Sequence, residues 1–213
     1  MKKLLVINSS ARMLRSQSRK LTAAFVEHWE NMHGKTAIKF RDLGNVHVPH
    51  IDEQWIAAAF KPAAARSADE IESLRTSDIY IAELQEADVI VLGSPMYNWS
   101  IPSTLKAYID QIMRVNETWK LNPANPLNPY VGLLQNKTLV LLLSRGSQGY
   151  EKGGYNEHMN FQSTYLKTVF AIIGISHVHV IVIDGESSDR DRLKDVIAQS
   201  YERVRGLIEM ELV

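Results

Sequence analysis

Five short runs of apolar residues, spaced widely along the chain, constrain its fold more than any other feature of the sequence. The runs cover residues 4–7, 37–40 (the weakest), 89–92, 139–143 and 178–183. Each is rich in Val, Ile or Leu, and the stronger ones are continuous rather than alternating with polar residues. Continuous apolarity is typical of strands buried on both faces, which occur in parallel sheets. We therefore expect five parallel strands.

Helical patterns fill the intervals between these runs. Ser16 or Ser18 can cap a first helix, Ser67 a second, and Pro102 suits the first turn of a third. Apolar residues at helical spacing continue over 161–173 and from 189 onward. Strand and helix alternate about five times, which predicts an α/β fold with a doubly wound sheet flanked by helices.

The length of 213 residues favours a single domain spanning residues 1–213. Two segments, 45–65 and 119–132, interrupt the alternation and are too long to be simple connections. Long ordered loops often serve as lids or interface pieces, so we expect one of these roles for each.

The composition excludes several classes of function. Lys+Arg and Asp+Glu both number 24, and this zero net charge speaks against a nucleic-acid partner. The absence of cysteine excludes disulfides, thiolate nucleophiles and cysteine-ligated metals. The first apolar stretch stops at Asn8, too early for a signal peptide, and no run approaches the roughly 18 residues of a membrane span. We expect a soluble cytoplasmic protein without a membrane partner.

Ligands of an open parallel sheet bind beyond the carboxyl ends of its strands, so the segments that follow the runs are the candidates for a site. After the first run, Ser10, Ser16, Gln17 and Ser18 lead into a helix, whose N-terminus favours a phosphate. Ser16 is equally suited to a plain N-cap. The segment has no glycine, which argues against a Walker A loop and against a GxGxxG dinucleotide site.

The segment after the third run is the most distinctive. It reads Pro95, Met96, Tyr97, Asn98 and Trp99, between a buried strand and a helix. Two aromatic rings and a thioether can flank a planar, polarizable ligand, while backbone N–H groups bind its polar edge. On composition alone, however, Met96 and Trp99 are better explained as core residues.

After the fourth run come Ser144, Arg145, Gly146 and Ser147. Gly146 allows the backbone to approach a ligand closely, and Arg145 would favour negative charge there. A surface turn explains the same residues when they are taken alone. No acidic ligand stands out beside His177 and His179, so we expect no metal site.

Together, S-x5-S-Q-S (Ser10 to Ser18), P-M-Y-N-W and S-R-G-S, at these positions, resemble the FMN-dependent NADH:azoreductase family, also described as NADH:quinone oxidoreductases. The resemblance extends through Ile172-Ile173-Gly174-Ile175 and Asp184-Gly185. It implies a flavodoxin-like fold and a homodimer with one FMN per subunit at the interface. It also implies that NADH or NADPH reduces the flavin, which then reduces a quinone or azo compound by two electrons.

The resemblance assigns roles to the three segments. Ser10, Ser16, Gln17 and Ser18 would hold the phosphate, and Met96, Tyr97, Asn98 and Trp99 would flank the ring. Ser144, Arg145, Gly146 and Ser147 would bind its pyrimidine edge. Because the flavin carries the hydride, we assign no catalytic residue.

The sequence departs from the family pattern where Trp99 replaces a common Phe and Ser147 a glycine. If that glycine position needs a positive φ, Ser147 would be strained. Leu121 and Ile172 stand where the family has Tyr and Phe, and Tyr130 is the candidate for a residue that covers the flavin. We expect Trp119, Leu121, Tyr130 and Ile172 to shape the substrate pocket.

Two other classes of protein compete with this prediction. A flavodoxin-type electron carrier would bind FMN without turning over a substrate, but such carriers are typically strongly acidic. A hydrolase using Ser94 or Ser144 lacks the G-x-S-x-G elbow.

Overall fold

A computed structural model of the protein describes residues 2–34, 37–188 and 190–212, without the side chain of residue 190. The strands are β1 (Leu4–Asn8), β2 (Ile38–Asp42), β3 (Val89–Pro95), β4 (Trp119–Leu121), β5 (Tyr130–Gly132), β6 (Thr138–Ser144) and β7 (His177–Ile183). The α-helices are α1 (Gln17–His33), α2 (Glu53–Phe60), α3 (Ala68–Glu86), α4 (Ser103–Ile112), α5 (Ser163–Ile172) and α6 (Arg190–Met210).

The five long strands form one parallel sheet in the order β2-β1-β3-β6-β7, which confirms the predicted fold class. The weakest run is also a strand, but it covers Ile38–Asp42 rather than 37–40. The chain adds β2 on one side of β1 and β3 on the other, so the strand order reverses between β1 and β3. A doubly wound sheet opens a crevice at this point, beyond the carboxyl ends of the strands.

Both faces of the sheet are covered by helices because successive side chains of each strand point to opposite faces. Leu4 and Val6 pack with α1 and α6, whereas Leu5 and Ile7 pack with α3, α4 and α5. The strands are therefore apolar on both faces, which explains their continuous apolar runs.

Local sequence sets the start of the helices. Ser16, not Ser18, is the N-cap of α1, and its hydroxyl accepts a hydrogen bond from the Arg19 N–H. Ser67 and Glu70 form a complete capping box at the start of α3. Pro102 is the N-cap residue of α4 rather than its first helical residue. Residue 189, where we expected the last helix to begin, lies outside the described residues.

Segment 45–65 is not the long loop that we predicted from the sequence. It contains α2, which packs against α3 through Trp55, Ala58 and Leu74. The indole Nε1 of Trp55 donates to Oε1 of Gln111 at 2.9 Å, so a buried polar contact also fixes this helix. The sequence pattern did not indicate α2, because this helix is short and only a narrow apolar face of it packs against α3.

Segment 119–132 forms the antiparallel hairpin of β4 and β5. It lies between the end of α4 and the start of β6, at the edge of the sheet where the strands begin. A Cβ on Gly132 would lie 2.0 Å from the backbone nitrogen of Gly174, so the backbone of the hairpin packs closely against the backbone that follows α5. Leu134 donates its N–H to the Ile173 carbonyl at 2.9 Å and fixes this position.

Among the described residues, no helix combines the length and apolarity that crossing a bilayer requires. The cytoplasmic location stays a prediction.

Candidate functional site

A pocket of about 170 Å³ opens beyond the carboxyl ends of β1, β3, β6 and β7. It brings together residues from all three segments that the sequence singled out. Its lining comprises Ser10, Arg12, Arg15, Ser16, Gln17, Pro95, Met96, Tyr97, Ser144, Gly146, Glu186 and Ser187.

The β1–α1 loop supplies hydrogen-bond donors to this pocket. Gln17 and Ser18 are the first two residues of α1. Their N–H groups have no acceptor within the helix, because the first N–H groups of an α-helix have no preceding turn to bond to. The Ser10 hydroxyl accepts from the Arg12 N–H at 3.2 Å, and its own hydrogen remains available to donate. Ser18 is fully buried, and its hydroxyl lies 3.1 Å from that of Ser16, beneath the pocket. The loop therefore has the donors that an anion needs at a helix N-terminus.

An ion pair holds this loop in place. Arg19 donates to both carboxylate oxygens of Asp42, at 2.8 and 2.6 Å, and to the Ser10 carbonyl at 2.7 Å. The hydrogen bonds from Arg19 hold the pKa of the Asp42 carboxyl below its usual value. A Cβ on Gly44 would lie 2.1 Å from the Ser10 carbonyl oxygen, so glycine permits the close approach of the next loop.

Two arginines of the same loop, Arg12 and Arg15, also line the pocket. Both side chains are exposed. Neither arginine is among the residues predicted for the site. Their position in a segment already predicted to hold a phosphate was the signal that could have found them.

The segment after β3 makes a tight turn. Tyr97 and Ser100 exchange backbone hydrogen bonds of 2.9 and 3.0 Å, and the two central residues have positive φ, 47° at Asn98 and 64° at Trp99. Asparagine tolerates this left-handed conformation, whereas it strains a bulky residue such as Trp99. Phe161 donates its N–H to the Trp99 carbonyl at 3.1 Å and holds the turn in this conformation.

This turn decides which backbone groups can bind a ligand. The N–H groups of Met96 and Tyr97 already donate, to the carbonyls of Ser144 and Ser100. Those of Asn98 and Trp99 have no acceptor among the described residues. Met96 and Tyr97 line the pocket, while the exposed Asn98 and Trp99 are not part of the lining.

The turn after β6 forms another wall. Ser144 and Gly146 line the pocket, and the N–H groups of Gly146 and Ser147 have no acceptor within the described chain. Ser147 does not have a positive φ, so the strain considered for this position does not arise. Gly185 donates to the Ser147 carbonyl at 3.1 Å and joins this turn to the one after β7.

The Arg145 side chain points away from the pocket lining and is 1% exposed. Its guanidinium donates to Gln162 at 2.9 Å and to Glu151 at 2.8 Å. Gln162 donates in turn to the Ser94 carbonyl at 3.1 Å. Arg145 thus connects the carboxyl ends of β6 and β3 and fixes the two walls, and it is not part of the pocket lining.

A fourth wall comes from the turn after β7, through Glu186 and Ser187. Their backbone N–H groups donate to the carbonyls of Arg145 and Gly146, at 3.1 and 2.9 Å. Nearby, burial raises the pKa of the Asp184 carboxyl, and Arg145 opposes that shift. Neither Glu186 nor Ser187 was predicted from the sequence, although the rule that ligands bind beyond strand ends applies to the fifth strand as well.

The four residues expected to shape the substrate pocket lie elsewhere in the chain. Trp119, Leu121 and Tyr130 are on the hairpin, and Ile172 is the last residue of α5. The Trp119 and Tyr130 rings meet edge to face at 5.5 Å. All four lie toward the edge where the strands begin, and none lines the pocket.

Within the described ranges, no group of three or more His, Cys, Asp or Glu side chains is arranged to hold a metal ion.

Comparison with known proteins gives the context of this pocket. The chain is 40% identical to FMN-dependent NADH:quinone oxidoreductase 1 of Trichormus variabilis, over 97% of this chain and 96% of the relative. It is 35% identical to FMN-dependent NAD(P)H:quinone oxidoreductase 1 of Pseudomonas aeruginosa, over 97% and 98%.

The solved structure of an azoreductase from Bacillus anthracis superposes with a TM-score of 0.88 at 26% identity. The superposition covers 97% of this chain and 98% of that one. The family model for the flavodoxin-like fold matches residues 2–207. The chain therefore belongs to the family of proteins with the flavodoxin-like fold.

Proposed function

We propose that this protein is an FMN-dependent NAD(P)H oxidoreductase that reduces quinones and azo compounds by two-electron transfer. The observation that carries this function is the single pocket in which the segments after β1, β3 and β6 meet. The two relatives align with nearly the whole chain and are named as FMN-dependent NADH:quinone and NAD(P)H:quinone oxidoreductases. This favours an enzyme over a flavodoxin-type carrier.

The donors in the pocket fit FMN. Hydroxyl groups of Ser10 and Ser16 and the N–H groups of Gln17 and Ser18 suit a phosphate, with Ser18 supporting Ser16 from below. Met96 and Tyr97 offer a thioether and a ring as a wall for a planar group. The free N–H groups of Asn98 and Trp99 would then bind a polar edge of that group, with the Trp99 side chain on the rim.

When bound, FMN would accept a hydride from the nicotinamide and pass two electrons to the acceptor. The chain contributes position and electrostatics to this chemistry. The N–H groups of Gly146 and Ser147, which have no acceptor in the described chain, would donate to the pyrimidine side of the flavin and stabilise negative charge there. Arg145 would contribute indirectly. Through Gln162 it holds the pocket walls at Ser94 and Ser144 at a fixed separation.

The site of one protomer is incomplete, which supports the proposed homodimer. Its 170 Å³ falls short of the roughly 300–1,000 Å³ typical of small-molecule pockets. The hairpin, by contrast, exposes Leu121, Leu127 and Tyr130 far from this pocket. A second copy that places its hairpin over the Tyr97–Ser100 turn would complete the pocket and cover these apolar side chains. Trp119, Leu121, Tyr130 and Ile172 would then serve the substrate of the partner.

An anaerobic reduction experiment tests the function. The FMN-loaded protein is mixed with NADH or NADPH, and the flavin absorbance is followed before and after addition of a quinone or an azo dye. We expect bleaching within seconds and recovery on addition of the acceptor, without any partner reductase. Flavin that binds but stays oxidised with both nicotinamides would show a carrier instead of an enzyme.

A further inference from the structure

The two outermost strands of the parallel sheet, β2 and β7, each have one side that no strand of the described chain covers. Such a side presents backbone N–H and C=O groups that can pair with a strand of another molecule, and charged residues on the strand normally prevent this. β2 reads I-K-F-R-D, whereas β7 reads H-V-H-V-I-V-I and contains no Asp, Glu, Lys or Arg. Charge on its own residues therefore protects β2 but not β7.

The backbone groups on this open side of β7 belong to its three valines. Ile183 accepts a hydrogen bond from the Arg145 N–H at 2.9 Å, so its backbone faces β6. The N–H and C=O groups of one strand residue point to the same side, and this side alternates along the strand. The backbones of Val178, Val180 and Val182 therefore face outward, and their N–H groups have no acceptor among the described residues.

Two side chains of α6 reach over the open side and contact its carbonyls. Arg203 donates from Nη2 to the carbonyl of Val180, the central residue of β7, at 2.9 Å. The Ser200 hydroxyl lies 3.4 Å from the Val182 carbonyl and 2.8 Å from that of Val196, so its main acceptor is within α6. The contact of Arg203 is thus the stronger of the two, and it blocks the middle of the open side.

Apolar side chains border the open side. Leu207 and Met210 of α6 line a groove together with Val178 and Val180. Met210 is 77% exposed, which is unusual for an apolar side chain beside an uncovered strand. A strand laid along the open side would remove this apolar surface from water, so its pairing would be favoured by burial as well as by hydrogen bonds.

The open side of β7 is complementary to itself. An antiparallel pair centred on Val180 places that residue opposite its own copy and Val178 opposite Val182. All outward N–H and C=O groups then meet in hydrogen-bonded pairs. Each of these pairs is valine with valine, so no like charges stand opposite each other.

The charges of α6 fit the same two-fold arrangement. Glu202 and Arg203 both line the groove, and Arg203 lies at the level of the central Val180. A two-fold axis at Val180 brings Arg203 of each copy, once it leaves the carbonyl, beside Glu202 of the other. Gly206, about one turn further along α6, has no side chain that would keep the two helices apart. This charge complementarity favours a second copy of the chain over an unrelated peptide.

We propose that the open side of β7 is a self-association surface, which pairs antiparallel with the same side of a second copy, and that Arg203 keeps it closed. Pairing displaces one charge-assisted hydrogen bond to a Val180 carbonyl in each copy. The ion pair gained with Glu202 is exposed and contributes little, so Arg203 opposes pairing on balance. The surface includes no residue of the pocket or of the β4–β5 hairpin and does not depend on the proposed function.

The test compares the self-association of the full-length wild type, R203A and R205A by sedimentation velocity over a concentration series. R205A is the matched control, because Arg205 is also an exposed residue of α6 but pairs only with Glu202. We expect R203A to form a species of at least about twice the wild-type mass, with an association constant raised at least about tenfold. R205A should behave like the wild type.

Amide hydrogen exchange locates the association. The N–H groups of Val178, Val180 and Val182 should exchange rapidly in the wild type and at least about tenfold more slowly in associated R203A. R203A/V180P removes the central N–H from a strand side that tolerates proline, and it should return to the wild-type mass. An R203A protein that keeps the wild-type mass, or that associates without slower exchange at these three valines, would overturn the inference.

Discussion

The two edges of the sheet present opposite surfaces. Beyond the carboxyl ends of the strands lies a pocket of hydroxyl groups, free backbone N–H groups and charged side chains. At the other edge, the β4–β5 hairpin exposes apolar side chains, with Leu127 99% and Leu121 57% exposed. The first edge suits a small polar ligand, whereas the second presents an apolar surface to solvent. This difference is the basis of our proposal that a second copy covers the hairpin and completes the pocket.

The largest effect is expected from the buried arginine that supports the pocket edge. R145M leaves the buried Gln162 and the partly buried Asp184 without their cationic neighbour, so the free energy of unfolding should fall by about 3 kcal/mol. Urea denaturation measures this change. R75M removes a side chain of an exposed pair and should cost less than about 1 kcal/mol. Equal effects of the two substitutions would show that Arg145 has no special structural role.

The hairpin edge is tested by making it polar. L121D/Y130D places two carboxylates on the surface that we assign to the second copy, so the dimer dissociation constant should rise at least 30-fold, about 2 kcal/mol. Sedimentation equilibrium gives this constant. The free energy of unfolding of the monomer should change little, since both side chains are about half exposed.

The acceptor kinetics of the same variant complete that comparison. If the hairpin serves the site of the partner, kcat/KM for quinone should fall about as much as the fraction of dimer. A variant that remains dimeric, with unchanged acceptor kinetics, would contradict the assignment of Leu121 and Tyr130 to the substrate pocket.

A pH series tests the ion pair that holds the β1–α1 loop. The pKa of Asp42 is lowered in the folded protein by hydrogen bonds from Arg19, so its contribution is fully present above the unfolded value near 3.8. It is lost as the pH falls through the lower folded value. D42N should therefore cost about 1 kcal/mol of unfolding free energy at pH 7, and the difference from wild type should shrink below about pH 4. A difference independent of pH would exclude this ion pair as its cause.

The smallest effect is expected from substitutions of Asn98 in the Tyr97–Ser100 turn. They separate the contribution of the backbone N–H groups to FMN binding from that of the Asn98 side chain. Asn98 has a φ of 47°, which alanine disfavours and glycine tolerates. If the turn acts through its free N–H groups, N98A should weaken FMN binding about fivefold and N98G by less than about twofold. Equal losses in both variants would show that the Asn98 amide side chain contacts the flavin.

The edge beyond the strand ends was largely predictable from the sequence. The continuous apolar runs indicated a parallel sheet, and a parallel sheet places its ligands at one edge. Eight predicted residues line the pocket: Ser10, Ser16, Gln17, Pro95, Met96, Tyr97, Ser144 and Gly146. Their roles with FMN remain proposals. The short helix α2 was missed because eight residues with a single buried face give a weak periodic signal.

The sequence by itself determined the five strands of the parallel sheet, the positions of the main helices and the segments that meet at the pocket. These follow from side-chain periodicity and capping, which act between residues close in the chain. Only the tertiary structure decided that Arg145 turns inward, that Arg12 and Arg15 stay unpaired, and that the hairpin lies at the opposite edge. Each of these depends on which groups from distant segments meet a side chain, and local sequence does not contain that information.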